Sequence, residues 1–243
     1  YIKGFPPHPH RGFETVTYML DGHMLHEDHL GNRGHLKSGG VQWMTAGRGI
    51  IHSEMPQQEA GLMQGFQLWL NLPAKEKMKA AAYVDIAPEQ IPSQTFTGGS
   101  VKVIAGTFNA ENIALSGPIQ GISTDPQYYD IQLDAGQSIS LSLPQQHNAL
   151  LYPYYGEILV HSANDTRKVP EHHAGILTAG ESLTLVAQSN VRLLVLAAAP
   201  IDEPIVQYGP FVMNTVEEIE LAIRDYQQGK LTDNQAPGQI ELA

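Results

Sequence analysis

Along most of the chain, apolar and polar residues alternate with a period of two or gather in short β-branched and aromatic runs. Ser138-Ile139-Ser140-Leu141-Ser142-Leu143 alternates with a period of two, as does Phe66-Gln67-Leu68-Trp69-Leu70-Asn71-Leu72. Phe13-Glu14-Thr15-Val16-Thr17-Tyr18-Met19-Leu20 is rich in residues that favour extended backbone. Each segment predicts a strand, because successive side chains on a strand point to opposite faces. Gly31-Asn32-Arg33-Gly34, Asp134-Ala135-Gly136 and Ala163-Asn164-Asp165 read as turns between them. Many short strands joined by such turns predict a sandwich or barrel.

One helix interrupts this pattern, over about 215–228. Thr215 and Glu218 have the spacing of a capping box, and Ile219, Ala222, Ile223 and Tyr226 follow at helical spacing. Gly229 stands where a C-terminal cap belongs. The helix is expected to dock an apolar stripe and to carry no chemistry. Pro73-Ala74-Lys75-Glu76-Lys77-Met78 suggests a short helical turn, and the last dozen residues suggest an extended or loose tail.

The strand pattern recurs. Tyr18, Gly22 and Thr45-Ala46-Gly47 reappear as Tyr152, Gly156 and Thr178-Ala179-Gly180. A repeat of this length built from strands predicts two copies of one β-domain. The boundaries expected are 1–87 for the first copy, 88–118 for a linker and 119–243 for the second copy with its helix. In this repeat His8 and His10 map near Ser142 and Pro144, and His52 and Glu54 map near Leu185 and Ala187. The second copy then lacks the polar residues of the first.

Composition narrows the chemistry. The chain has 243 residues, 14 Lys plus Arg against 25 Asp plus Glu, and a formal charge of −11. That length can bury a core without staples. The acidic balance argues against direct binding to nucleic acid, where affinity comes from Lys and Arg on phosphates, and against an anionic membrane surface. There is no cysteine, which excludes disulfides, thiol catalysis and Cys-ligated zinc or iron–sulfur sites. No apolar run approaches the ~20 residues that span a bilayer. The sequence opens at Tyr1 rather than Met, so its start is expected to be incomplete.

Seven of the 11 histidines lie before residue 53. His8-Pro9-His10 places two of them on one face of a strand, and His52-Ser53-Glu54 repeats the spacing. Pro9 lacks an N–H and suits a strand edge. Two such pairs on neighbouring strands would aim three imidazoles and a carboxylate at one point, a set suited to Fe, Mn, Ni, Cu or Zn. Glu14 is a further candidate, at the metal or behind it, and Arg48 between two glycines reads as a rim residue. His23, His26, His29 and His35 are expected at the surface. His172 and His173 are adjacent and cannot easily chelate together. Trp43, Phe66 and Trp69 are expected in the core rather than as a substrate platform.

The segment His8-Pro9-His10-Arg11-Gly12-Phe13-Glu14-Thr15-Val16-Thr17-Tyr18 resembles the first metal motif of the pirins, a family of the cupin superfamily. Gln42-Trp43-Met44-Thr45-Ala46-Gly47-Arg48-Gly49-Ile50-Ile51-His52-Ser53-Glu54-Met55-Pro56 resembles the second. Gln67-Leu68-Trp69-Leu70-Asn71-Leu72 and Gly209-Pro210-Phe211-Val212-Met213-Asn214-Thr215 are similar to further pirin segments. The general cupin pattern fits less closely: Gly4 is nearer His8 than it asks, and Gly47 stands where a proline is usual.

The resemblance implies an all-β fold of two cupin, jelly-roll-like barrels in tandem with a C-terminal helix, and metal in the first barrel alone. It implies one Fe(II) per chain, with other divalent transition metals also fitting, held by His8, His10, His52 and Glu54. Glu14 would then stand behind the ligands, with Arg48 and Trp43 near the pocket. It implies quercetin 2,3-dioxygenase activity, in which Glu54 takes the flavonol 3-hydroxyl proton, O2 adds at ring carbons 2 and 4, and carbon monoxide and a depside leave. The alternative it implies is a redox-sensing iron protein that binds and regulates a partner protein, as in transcription co-regulation. The expected protein is a monomer, cytoplasmic if bacterial and both nuclear and cytoplasmic if eukaryotic.

Overall fold

A computed structural model describes residues 3–110, 112–162, 165–233 and 236–243. Two residues of the expected turn at Ala163-Asn164-Asp165 lie outside the described residues. The chain divides into two compact units. The first holds the residues up to Gln90 together with Ile201–Glu241, and the second holds Ile91–Pro200 and the last two residues.

The first unit begins with β1 (Phe5–His10), β2 (Phe13–Asp21), β3 (His23–Asp28) and β4 (Arg33–Lys37). It continues with β5 (Val41–Thr45), β6 (Ile50–Pro56), β7 (Gln64–Asn71), the short helix α1 (Ala74–Lys77) and β8 (Ala82–Ile86). They form two four-stranded sheets, in the orders β1-β6-β3-β4 and β7-β2-β5-β8. Pairing is antiparallel throughout. Crossovers between two sheets of this kind make a jelly roll.

The second unit runs through β9 (Ser93–Phe96), β10 (Gly99–Ala105), β11 (Thr107–Ala110), β12 (Ile113–Ser116), β13 (Gln127–Leu133) and β14 (Ser138–Ser142). Then come β15 (Asn148–Tyr155), β16 (Ile158–His161), β17 (Thr166–Val169), β18 (Gly175–Ile176), β19 (Ser182–Ala187) and β20 (Val191–Ala198). Within its two six-stranded sheets, β14-β19-β16-β17 reproduces β1-β6-β3-β4, and β20-β15-β18 reproduces β7-β2-β5. Gly22 and Gly156 both take positive φ, at the β2–β3 and β15–β16 corners, where a Cβ would be strained. The internal repeat is therefore a repeat of topology.

Pair register refines the correspondence. His8 stands opposite His52 in the β1–β6 pair, and Ile139 stands opposite Leu185 in the β14–β19 pair. The counterparts of His8 and His10 are Ile139 and Leu141, not Ser142 and Pro144, because the loop before the repeat's second strand differs in length. Ile139, Leu141, Leu185 and Ala187 are all buried in one apolar cluster with Val101, Phe108 and Leu193. Where the first unit gathers polar side chains, the second has a hydrocarbon core.

The expected linker over 88–118 is corrected. Pro88–Gln90 is a turn of 3₁₀ helix, and the residues after it supply β9 to β12, hydrogen-bonded into the sheets of the second unit. The helix is also reassigned. After β21 (Val206–Tyr208) and β22 (Phe211–Met213), α2 (Val216–Gln227) packs Ile219 and Ala222 against Phe211, Met213, Leu231 and Ile51 of the first unit. An amphipathic helix goes where an apolar surface awaits it, and that surface belongs to the first barrel.

The caps of α2 match the sequence. Thr215 accepts from the Glu218 N–H while the Glu218 carboxylate takes the Thr215 N–H. At the other end Gly229 has φ +69°, Gly229 N–H donates to Tyr226 O, and Lys230 N–H donates to Asp225 O. Those two bonds are a Schellman motif. In the tail, Gly238 N–H donates to Ala81 O. No helix among the described residues is long and apolar enough to cross a membrane.

Lys77 ties the C-terminal segment down. Its buried ammonium donates to Gly12 O at 2.8 Å, Asn71 Oδ1 at 2.6 Å and Val212 O at 2.9 Å, so three donors meet three acceptors. Burial lowers its pKa to about 8, opposed by Glu203 and Glu218. Lys77→Met would keep the stem and strand both carbonyls, at roughly 1–3 kcal/mol each. The expected loss is about 3 kcal/mol in denaturant unfolding, and a loss below about 1 kcal/mol would contradict the role.

Candidate metal centre

The site is built on β1 and β6. β1 is the sheet's edge, so the missing N–H of Pro9 costs no ladder bond. Alternation puts His8 and His10 on one face of β1, and His52 and Glu54 on one face of β6. The ring centroids lie 4.8 Å apart for His8–His10, 4.3 Å for His8–His52 and 4.9 Å for His10–His52. Ligand atoms of these three histidines lie within 4.8 Å of one another. Those of His26, His52 and Glu54 form a second such group.

Hydrogen bonding leaves the inward nitrogens free. His8 Nδ1 lies 2.8 Å from Pro6 O, which fixes the proton there and leaves Nε2 with its lone pair. Nε2 of His10 and Nε2 of His52 are buried without a hydrogen-bond partner among the described residues. Unpartnered buried nitrogens that converge on one point fit a cation better than they fit a packed core. Gln67 Nε2 donates to both oxygens of Glu54 at 3.2 Å and so holds the carboxylate plane.

Burial dominates the electrostatics. It lowers His10 to about 4, helped by His8, and pushes His52 far lower, helped by His10, His26 and His8. It raises Glu54, against hydrogen bonds from Gln67 and Thr17 and the charge on His8. For His10 the folded pKa lies below the unfolded value, so its contribution is complete above about 6.5 and is lost as pH falls toward about 4. Metal-free protein is therefore expected to lose up to about 3 kcal/mol of stability from His10 between those limits. His10→Ala should flatten that part of the unfolding-free-energy profile; an unchanged slope would contradict the assignment.

The other expected residues fall in different places. Glu14 is buried on β2, where it accepts from Trp43 Nε1 at 3.1 Å and Thr45 Oγ1 at 2.6 Å, with Lys79 Nζ at 3.4 Å. Glu14 and Trp43 thus bond to each other and lie outside both ligand groups. Arg48 is half-buried in the β5–β6 turn, where its carbonyl accepts from the Arg11 guanidinium. Arg11 in turn pairs with Asp225 of α2 at 2.9 Å. His172 and His173 are exposed in the second unit.

Two expectations are overturned. His26 is completely buried, while His23, His29 and His35 are half-buried or exposed. β3 lies beside β6, and His26 stands opposite Glu54 across that pair, so the ring turns inward. Trp43 is in the core and Phe66 is half-buried, but Trp69 is 40% exposed. Its ring meets His10 edge-on at 5.5 Å and Phe13 at 4.3 Å. Trp69 shares a strand face with Gln67 and Asn71, not with Phe66, Leu68 and Leu70, and that polar alternation was the available signal.

Two jelly rolls in one chain, with His/Glu clusters found in the first alone among the described residues, define a double cupin. Family models agree: Pirin matches residues 1–70 and the Pirin C-terminal cupin domain matches residues 128–232. The chain belongs to the pirin family. A Pseudomonas aeruginosa protein named "Putative quercetin 2,3-dioxygenase" is 55% identical over 95% of this chain and 81% of its own length. Pirin of Mus musculus is 41% identical, over 93% of this chain and 77% of its own length. A crystal structure of quercetin 2,3-dioxygenase from Acinetobacter baumannii is similar with a TM-score of 0.86 at 36% identity, covering 95% of this chain and 81% of that one.

Proposed function

We propose that the first barrel is an iron-dependent dioxygenase site that cleaves flavonols such as quercetin, with His8, His10, His52 and Glu54 as the metal ligands. The observation that supports the reading is the group formed by His8, His10 and His52, which shares His52 with a second group holding the buried Glu54, beside an exposed indole. Iron(II) bound there would supply orientation of substrate and O2 and stabilisation of developing negative charge. With one carboxylate among its ligands the centre would carry one net positive charge, which favours an anionic flavonol oxygen.

The chain's own groups do the rest. Glu54, a buried carboxylate whose pKa burial raises, would take the 3-hydroxyl proton. Gln67 holds both of its oxygens and restricts its rotation. Trp69, backed by the buried Phe13, offers an exposed aromatic face for a flat ring, by offset or edge-on contact. That exposed indole beside His10 favours a small aromatic substrate over a site read solely through a protein partner. Iron-loaded protein mixed with quercetin and O2 is the test. A kcat/KM of about 10⁴ M⁻¹s⁻¹ or more supports catalysis. Barely measurable turnover would reject it in favour of redox-dependent binding of a regulatory protein.

A further inference from the structure

We propose that His26 is a positioning residue that sets the tautomer of His52 and so makes its Nε2 available to metal. His26 acts this way only if His52 is a ligand, as the proposed function has it. Nδ1 of His26 lies 3.3 Å from Nδ1 of His52, both rings buried, with centroids 4.9 Å apart. Two ring nitrogens at this distance share one proton, because a neutral imidazole has one donor and one acceptor.

The two placements of that proton have opposite consequences. If His52 Nδ1 donates, its Nε2 carries a lone pair toward His8 and His10. If His26 Nδ1 donates, the His52 proton sits on Nε2 and blocks ligation. The first arrangement makes His26 the acceptor, with its own proton on Nε2, which is buried and has no partner among the described residues. A ligating histidine whose second nitrogen donates to a fixed acceptor is oriented and more basic.

The surroundings hold His26 still. Its ring stacks on Tyr83, with centroids 4.8 Å apart and planes 21° apart. Opposite His26 on β4 is Gly34, where an added Cβ would fall within 2.0 Å of both Tyr83 Oη and the Asp85 carboxylate. Gly34 therefore leaves the room in which Tyr83 reaches over the histidine. Gln42 Nε2 lies 3.3 Å from Tyr83 Oη and 3.3 Å from Asp85 Oδ1, which fixes the far end of the stack. None of these groups competes for His26 Nδ1, so that atom is left for His52.

Two substitutions separate an acceptor from mere packing. His26→Asn keeps an acceptor oxygen at the δ position and gives up the stacked ring. His26→Phe keeps the ring on Tyr83 and removes the acceptor. Competitive titration with Co(II) should show His26→Phe weakened by about 10–100-fold and His26→Asn within about threefold of wild type. Nitrogen NMR of the metal-free wild type should show His52 protonated at Nδ1 and His26 at Nε2. Equal weakening in both variants would make His26 a ligand in its own right and overturn the proposal. So would wild-type affinity in His26→Phe, or the reversed tautomers. A wild-type protein that binds no Co(II) or Fe(II) is a different result, and it would remove the metal centre itself.

Discussion

Glu54→Gln is expected to lower flavonol turnover by about 10²–10⁴-fold, the usual contribution of a positioned acid or base, while the protein keeps most of its iron. The amide has nearly the same shape, so Gln67 can still contact it, but it cannot accept a proton. Three imidazoles remain to hold the cation, and the centre gains a unit of positive charge. Iron content and turnover should therefore separate, with activity falling much further than occupancy. Wild-type turnover in an iron-loaded Glu54→Gln protein would contradict the role of base.

His52→Ala is expected to weaken metal binding by more than about 100-fold, beyond what loss of a supporting group causes. His52 is common to both ligand groups: its ring is 4.3 Å from His8 and 4.9 Å from His10, and it shares a strand face with Glu54. Removing it opens the centre of the cluster, whereas removing His8 would open its rim. The control is a close histidine pair outside both ligand groups, His23 and His35, whose ring nitrogens lie 2.8 Å apart on β3 and β4. Simultaneous replacement of those two by alanine should leave metal affinity unchanged. Equal losses in the two proteins would show that metal binds by a scatter of histidines rather than by one centre.

The same-face placement of His8 with His10 and of His52 with Glu54 was legible in the sequence because both pairs are local. A spacing of two on a strand fixes which side chains share a face without knowledge of the partner strand. The strands Phe13–Asp21 and Ser138–Ser142 and both caps of α2 were legible for the same reason. His26 was not, because nothing between His23 and Asp28 alternates cleanly, and its neighbours are chosen by the pairing of β3 with β6. Gln67 reaches Glu54 from a strand in the other sheet, a contact that only the closing of the barrel creates. The domain boundaries were misplaced because the repeat marks only the shared strands. β9 to β12 are additions to the second copy, and the return of the chain at Ile201 to the first unit leaves no periodic signal.

Relations between the two copies also account for the His/Glu groups lying in the first barrel among the described residues. Ile139, Leu141, Leu185 and Ala187 stand where the first copy has three imidazoles and a carboxylate, at the same register. A cation there would have no ligands and would pay the full cost of desolvation.

The most direct test of this account is an anomalous difference map at the iron edge from iron-loaded crystals. One peak per chain is predicted, within bonding distance of His8 Nε2, His10, His52 Nε2 and Glu54, with none in the second unit. A peak held elsewhere, a second peak between Ile139 and Leu185, or no peak in crystals shown to contain iron would contradict it.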